Sequence, residues 1–157
     1  MTYPIEQAPQ ALTYLQQAQH IGKVIVTLGE HAGVSPIGAI QSEGTYVITG
    51  GLSGIGYEVC RELIRIGAKS IALLSRRQAS DAIESDIAVW SKEGVCVSCY
   101  SVDVSDYAAL SSVMTLIHDA SPIRGVFHSA GLLSDATISN QTAESYRAVF
   151  TPKVQGA

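Results

Sequence analysis

Between Thr45 and Gly56 an apolar, β-branched run passes straight into a glycine-rich loop and then into a helical pattern, a succession that few folds accommodate. Tyr46, Val47 and Ile48 read as a buried strand. Glycines permit positive φ and let a ligand approach the backbone where a Cβ would collide. After the loop, Ile55, Val59, Leu63 and Ile66 recur at helical spacing, which sets Gly54 and Gly56 at the mouth of an amphipathic helix. The unpaired N–H groups and positive dipole end of such a helix favour a pyrophosphate. The stretch therefore reads as a phosphate cradle, against the plain alternative of a strand-to-helix turn that holds nothing.

From residue 45 onward strand and helix patterns alternate, which predicts an α/β fold with a parallel sheet and helices on both faces, a Rossmann-like doubly wound architecture. Strands are expected at about 46–49, 70–75, 95–102 and 125–129. Helices are expected near 55–66, 79–92 and 107–120, with a last one from about 142. Gly67, Gly94 and Pro122 punctuate the helix ends. Right-handed crossovers then give the strand order 3-2-1-4. The series stops before the later strands of such a fold, so it reads as truncated, with one sheet edge and the apolar face of the last helix poorly covered. Upstream, Pro9, Ala11, Leu12, Leu15 and Ala18 read as a short helix and 22–28 as a strand. The glycine- and proline-bearing stretch 29–44 reads as a linker, leaving 1–28 as a separate segment and 45–157 as the main domain.

A chain of 157 residues, 46% hydrophobic with a net charge of −4, fits one ordinary soluble domain. No apolar run approaches the roughly 18 residues that a bilayer span needs. The segment from Met1 to Gln7 lacks the basic and apolar regions of a signal peptide, so a cytoplasmic location is expected. No basic run is longer than Arg76-Arg77, and neither nucleic acid nor an anionic membrane is favoured as a partner. Three cysteines, Cys60, Cys96 and Cys99, suit reduced thiols. Cys96 and Cys99 fall in a strand pattern where positions i and i+3 face opposite sides, which disfavours a shared metal or redox pair. No metal site is expected.

The cradle, Thr49-Gly50-Gly51-Leu52-Ser53-Gly54-Ile55-Gly56, departs from the G-x-G-x-x-G fingerprint and has T-G-x-x-x-G-x-G spacing, which resembles the short-chain dehydrogenase/reductase superfamily. Over residues 45–157 the motifs resemble the ketoreductase domain of modular and highly reducing polyketide synthases, and the matching domain of animal-type fatty acid synthase. The likeness covers about the first half of such a catalytic subdomain. Ser53 stands where that family usually has glycine, although the wider superfamily often has serine there. The resemblance implies NADPH-dependent reduction of a β-ketoacyl chain on an acyl carrier protein, with other synthase domains as neighbours. Residues 11–28 resemble the C-terminal tail of the enoylreductase domain that precedes the ketoreductase in fully reducing synthases.

Leu74-Ser75-Arg76-Arg77 ends the second strand where an NAD-binding fold places an acidic residue for the ribose 2′-hydroxyl. An Arg fork binds a 2′-phosphate instead, which assigns Ser75, Arg76 and Arg77 to NADPH; the alternative is two solvated arginines. In Val102-Asp103-Val104-Ser105-Asp106, the family's pattern assigns Asp103 and Val104 to the adenine end of the cofactor, while Asp106 is placed to cap the next helix. His128-Ser129-Ala130-Gly131 resembles the family's H-x-A-G. There the small Ser129, Ala130 and Gly131 let the ribose and nicotinamide lie against the backbone, and His128 reads as a structural histidine. Leu133-Ser134-Asp135 stands where some family members have L-D-D, and with the first aspartate absent no stereochemistry is assigned.

Thr151-Pro152-Lys153-Val154-Gln155-Gly156 resembles the P-K-V-x-G segment whose lysine belongs to the family's catalytic tetrad. Lys153 is thus the candidate catalytic residue, orienting the nicotinamide ribose and lowering the pKa of a tyrosine; the alternative is a solvated helix lysine. The tetrad's tyrosine precedes an asparagine or lysine by four positions, and none of the seven tyrosines here does so. The oxyanion-stabilising serine has no counterpart either. The resemblance therefore implies a cofactor-binding half without turnover of its own, with a non-catalytic structural or interaction fragment of a megasynthase as the alternative.

Overall fold

The computed structural model describes residues 1–18, 21–27 and 40–157, in two compact units, Met1–Gly38 and Ala39–Ala157. Most of the expected linker 29–44, and Leu28 of the expected upstream strand, lie outside the described residues. In the first unit, β1 (Thr2–Pro4) leads through a short 3-10 turn into α1 (Ala8–Gln16), and β2 (Ile25–Thr27) pairs parallel with β1. Pro9 sits in the first turn of α1, where a missing N–H costs nothing. The expected helix is present, the expected strand is shorter than its apolar run, and β1 was not foreseen. Three residues ending in proline are too short to show a period of two.

The second unit runs β3 (Thr45–Thr49), α2 (Gly54–Arg65), β4 (Ser70–Ser75), α3 (Asp81–Lys92), β5 (Cys96–Ser101), α4 (Tyr107–Ala120), β6 (Ile123–His128) and α5 (Ala143–Phe150). A 3-10 turn, Ile138–Asn140, precedes α5, and a π turn, Thr151–Gln155, follows it. All four strands are parallel in the order β5-β4-β3-β6, the 3-2-1-4 succession expected from the pattern. β6 starts two residues ahead of expectation. The Thr45 N–H donates to the Pro122 carbonyl at 2.8 Å, so pairing begins before Gly125.

β3 is buried along its whole length, and its side chains divide the interior in two. Tyr46 and Ile48 join Ile71 and Leu73 of β4 against Cys60 and Leu63 of α2 and Ile83 of α3. Val47 joins Ala72 and Leu74 against Ile117 of α4 on the opposite face. α2 and α3 therefore cover one face and α4 the other, the doubly wound arrangement. Each fully buried Ile or Leu in these layers contributes roughly 1.5–3 kcal/mol.

Cys60 belongs to the first layer, where burial, and secondarily the neighbouring Cys99, push its thiol up to about 12. It behaves as an apolar side chain rather than a nucleophile. Cys96 and Cys99 are both exposed. Among the described residues no helix is long and apolar enough to cross a membrane.

Helix ends follow local chemistry. Asp106 caps α4, its Oδ1 accepting from the Ala109 N–H at 3.1 Å, and Thr142 and Ser145 form a reciprocal capping box at the start of α5. Asp106→Ala is expected to lower stability by ~1 kcal/mol, read as a reduced urea midpoint at unchanged slope. An unchanged midpoint would show that α4 is held by packing alone.

Candidate cofactor site

The chain leaves β3 toward β4 and β5 on one side, and β6 returns to its other side, so the carboxyl ends of β3 and β6 face a topological switch point. A cleft of about 420 Å³ opens there. Its walls are the strand ends and the segments that follow them: Gly50, Leu52 and Ser53 after β3; Ser75 at the end of β4 with Arg76 and Arg77 after it; Asp103, Val104 and Ser105 after β5; and Ala130 to Leu132 after β6. Ala148, Thr151 and Pro152 close it from the end of α5. The volume lies within the range of small-molecule sites. A larger groove of about 620 Å³ lies along α2 and α3, shares no residue with the cleft, and is lined mainly by charged side chains such as Glu58, Arg61 and Asp86.

The glycines of the loop divide their work. Gly50 has φ +66°, and a Cβ there would lie 2.7 Å from the Ser129 carbonyl oxygen. A Cβ on Gly56 would lie 2.5 Å from the Gly50 carbonyl oxygen, and one on Gly51 would lie 2.8 Å from Leu73. These three weld the loop to the sheet and to β6. Gly54 has φ +51° with open space where a Cβ would point. Ser53 makes no side-chain cap to α2, so the first N–H groups of that helix are not taken by it and remain available to an anion.

Asp103 Oδ1 accepts from Ser105 Oγ at 2.6 Å and from the Ser105 N–H at 2.9 Å. Those two bonds, with a smaller share from Arg76, hold its carboxyl below the usual carboxylate range. The Arg76 guanidinium lies 3.9 Å from Asp103 Oδ2, and both side chains are about half-exposed, so the pair is a loose tether. The Arg77 N–H donates to Ser75 Oγ at 3.2 Å, which shapes the turn after β4.

Of the residues singled out in the sequence, Gly50, Leu52, Ser53, Ser75, Arg76, Arg77, Asp103, Val104, Ala130 and Gly131 share the cleft. Thr49 is buried beneath it, and its Oγ1 accepts from the Ala130 N–H at 3.2 Å. Gly51, Gly56 and Ser129 are loop supports rather than wall, Gly54 opens α2, and Ile55 is exposed. Lys153 sits on the π turn, and its Cε lies 3.6 Å from where a Cβ on Gly131 would be. Ser105, Ala148, Thr151 and Pro152 were not foreseen as wall residues; only their folding onto the loop ends brings them there.

Among the described residues, no tyrosine lines the cleft. The Tyr57 hydroxyl donates to Asp86 at 2.6 Å, and burial first, then that bond, raise its pKa. The Tyr46 hydroxyl accepts from the Gln41 N–H at 2.9 Å. Both serve the packing.

A four-stranded parallel sheet in this order, with a T-G-x-x-x-G-x-G turn over its switch point, defines an oxidoreductase fold of the short-chain dehydrogenase/reductase type. Within that type the KR domain family matches residues 44–157, and the chain belongs to it. Highly reducing polyketide synthase Preu5 of Preussia isomera is 37% identical over 162 aligned residues, which cover 98% of this chain and 6% of that protein. Lovastatin diketide synthase mokB of Monascus pilosus is 33% identical, over 99% of this chain and 6% of its own length. A ketoreductase domain from the bacillaene assembly line superposes with a TM-score of 0.68 at 31% identity, over 73% of this chain and 28% of that one. An N-terminal ketoreductase from the macrolactin assembly line gives 0.67 at 30%, over 74% and 24%. The chain thus spans about 6% of the length of the curated relatives it matches. Domains of this family are generally nicotinamide-dependent.

Proposed function

We propose that residues 45–157 hold NADPH for reduction of a β-ketoacyl chain carried on an acyl carrier protein, within a polyketide or fatty-acid-type synthase. The observation that carries this reading is the meeting of the glycine cradle and Arg76 in one cleft. The cofactor, when bound, supplies the hydride. The N–H groups of the first turn of α2 bind the pyrophosphate. Arg76 takes the 2′-phosphate, and its loose tie to Asp103 yields readily to a dianion. Asp103 and Val104 meet the adenine end, and Ala130 and Gly131 leave room for the ribose and nicotinamide. Lys153, beside Gly131, orients that ribose.

With no tyrosine in the cleft, this chain by itself binds cofactor without turning over. The synthase relatives align over 98–99% of the chain while the family match begins at residue 44, which supports reading 1–28 as the tail of a preceding enoylreductase domain. Other synthase domains and the carrier protein are the partners this reading implies.

Calorimetric titration of the purified chain is expected to show NADPH bound at least about tenfold more tightly than NADH, a gap of ~1.4 kcal/mol. Saturating NADPH should also raise the melting temperature, because only the folded state has the cleft. A cooperatively folded chain with neither heat nor thermal shift would reverse the reading in favour of a non-catalytic structural module.

A further inference from the structure

We propose that His128 is a positioning residue for Lys153, holding the turn that carries the lysine through the carbonyl of Pro152. This rests on the reading of Lys153 as the cation that faces the cofactor. The His128 ring spans two segments far apart in sequence. Its Nδ1 lies 2.9 Å from Thr49 Oγ1, and its Nε2 lies 3.0 Å from the Pro152 carbonyl oxygen.

The hydrogen positions follow from the partners. A carbonyl oxygen only accepts, so Nε2 carries a proton. Thr49 Oγ1 already accepts the Ala130 N–H, and its own hydroxyl proton is free to go to Nδ1. With the hydroxyl proton so placed, the bonds form an unbroken series running from the Ala130 amide through Thr49 and His128 to Pro152. Such a series pairs every donor with an acceptor and polarises in one direction.

The π turn explains why that carbonyl is available. The Gly156 N–H donates to the Thr151 carbonyl, five residues back, at 3.2 Å. In a regular α-helix it would donate to Pro152. The shift by one residue leaves the Pro152 oxygen outside the helical ladder, and the imidazole takes it. Gly156 also keeps the space around that oxygen clear, since a Cβ there would lie 2.6 Å from it and 2.5 Å from Val104. Lys153 is the next residue after the captured carbonyl, and its stem lies against Gly131. The ring thus reports the position of β3 and β6 to the lysine, through a turn type that is rare and concentrated at functional sites.

The competing account is a histidine that merely joins β6 to β3, and two variants separate them. His128→Gln carries an amide N–H to about where Nε2 stands and keeps the Pro152 bond. His128→Asn retains a partner for Thr49 but is too short to reach Pro152. On the 157-residue chain, His128→Asn is expected to speed hydrogen exchange at amides 153–156 and to weaken NADPH binding, each by about fivefold, the value of one neutral hydrogen bond, while His128→Gln stays within about twofold on both. Long-range proton–nitrogen NMR of the unsubstituted chain should show Nε2 protonated and Nδ1 bare.

An Nδ1-protonated ring, equal effects of the two variants, faster exchange without weaker binding, or failure of His128→Asn alone to fold would each overturn the proposal. An unsubstituted chain that does not bind NADPH sinks the proposed function instead, and the tautomer and exchange readouts still decide the role of His128.

Discussion

Gly56→Ala is expected to lower NADPH affinity at least about a hundredfold, which corresponds to ~2.7 kcal/mol, and to cost a further ~1–3 kcal/mol of stability through overpacking. The added carbon would lie 2.5 Å from the Gly50 carbonyl oxygen and 2.9 Å from its carbon, both backbone atoms that cannot rotate away. Gly50 has little room to retreat, because the segment after β6 lies so close that a Cβ placed on Gly50 would itself stand 2.7 Å from the Ser129 carbonyl oxygen. The strain therefore passes from α2 through the cradle to the segment after β6, and all three walls shift together. Gly54→Ala is the control: positive φ costs it about 1–2 kcal/mol, but nothing stands in its way. Calorimetry with NADPH and a urea melt on both variants decide the matter. Binding by Gly56→Ala within about tenfold of the unsubstituted chain would show that the cradle is not what holds the cofactor.

The second large effect concerns Arg76. Arg76→Ala is expected to reduce the preference for NADPH over NADH by about tenfold to a hundredfold, the value of charge-assisted hydrogen bonds to a phosphate. NADH affinity should hardly change, because the 3.9 Å pair with Asp103 is half-exposed and its loss leaves Asp103 supported by both bonds from Ser105. Equal losses for both cofactors would mean that Arg76 only shapes the wall of the cleft.

The strands at 45–49 and 70–75 were legible in the sequence because both faces of each are covered, so neither needs polar alternation and each shows as a compact apolar run beside glycine. The cradle was legible because phosphate binding restricts both residue type and spacing. β1 was not, since its pairing with β2 rests on three residues. The helix expected from 79 begins at Asp81, because Ser80 is still extended at φ −82° and ψ 161° and serves as the N-cap. The bridge from His128 to Pro152 left no trace in the sequence, because a main-chain carbonyl accepts without regard to side chain and lies 24 residues away. For the same reason Ala148, Thr151 and Pro152 could not be placed in the cleft from their types alone.

Thr45 aligns with Ser70 on one side but with Ile123 on the other, and the Thr49–His128 contact joins residues 79 apart. Joining residues so far apart costs more loop-closure entropy than pairing β3 with β4, where Thr45 meets Ser70. The cleft lies at this junction and takes Ala130, Gly131 and Leu132 as wall, so it is complete only with β6 docked. A nucleotide that binds there recognises only the finished sheet, and its binding free energy adds wholly to the stability of the native state. Occupancy of the cleft is in this sense a readout of completed assembly, drawn from the same few residues that would position the chemistry.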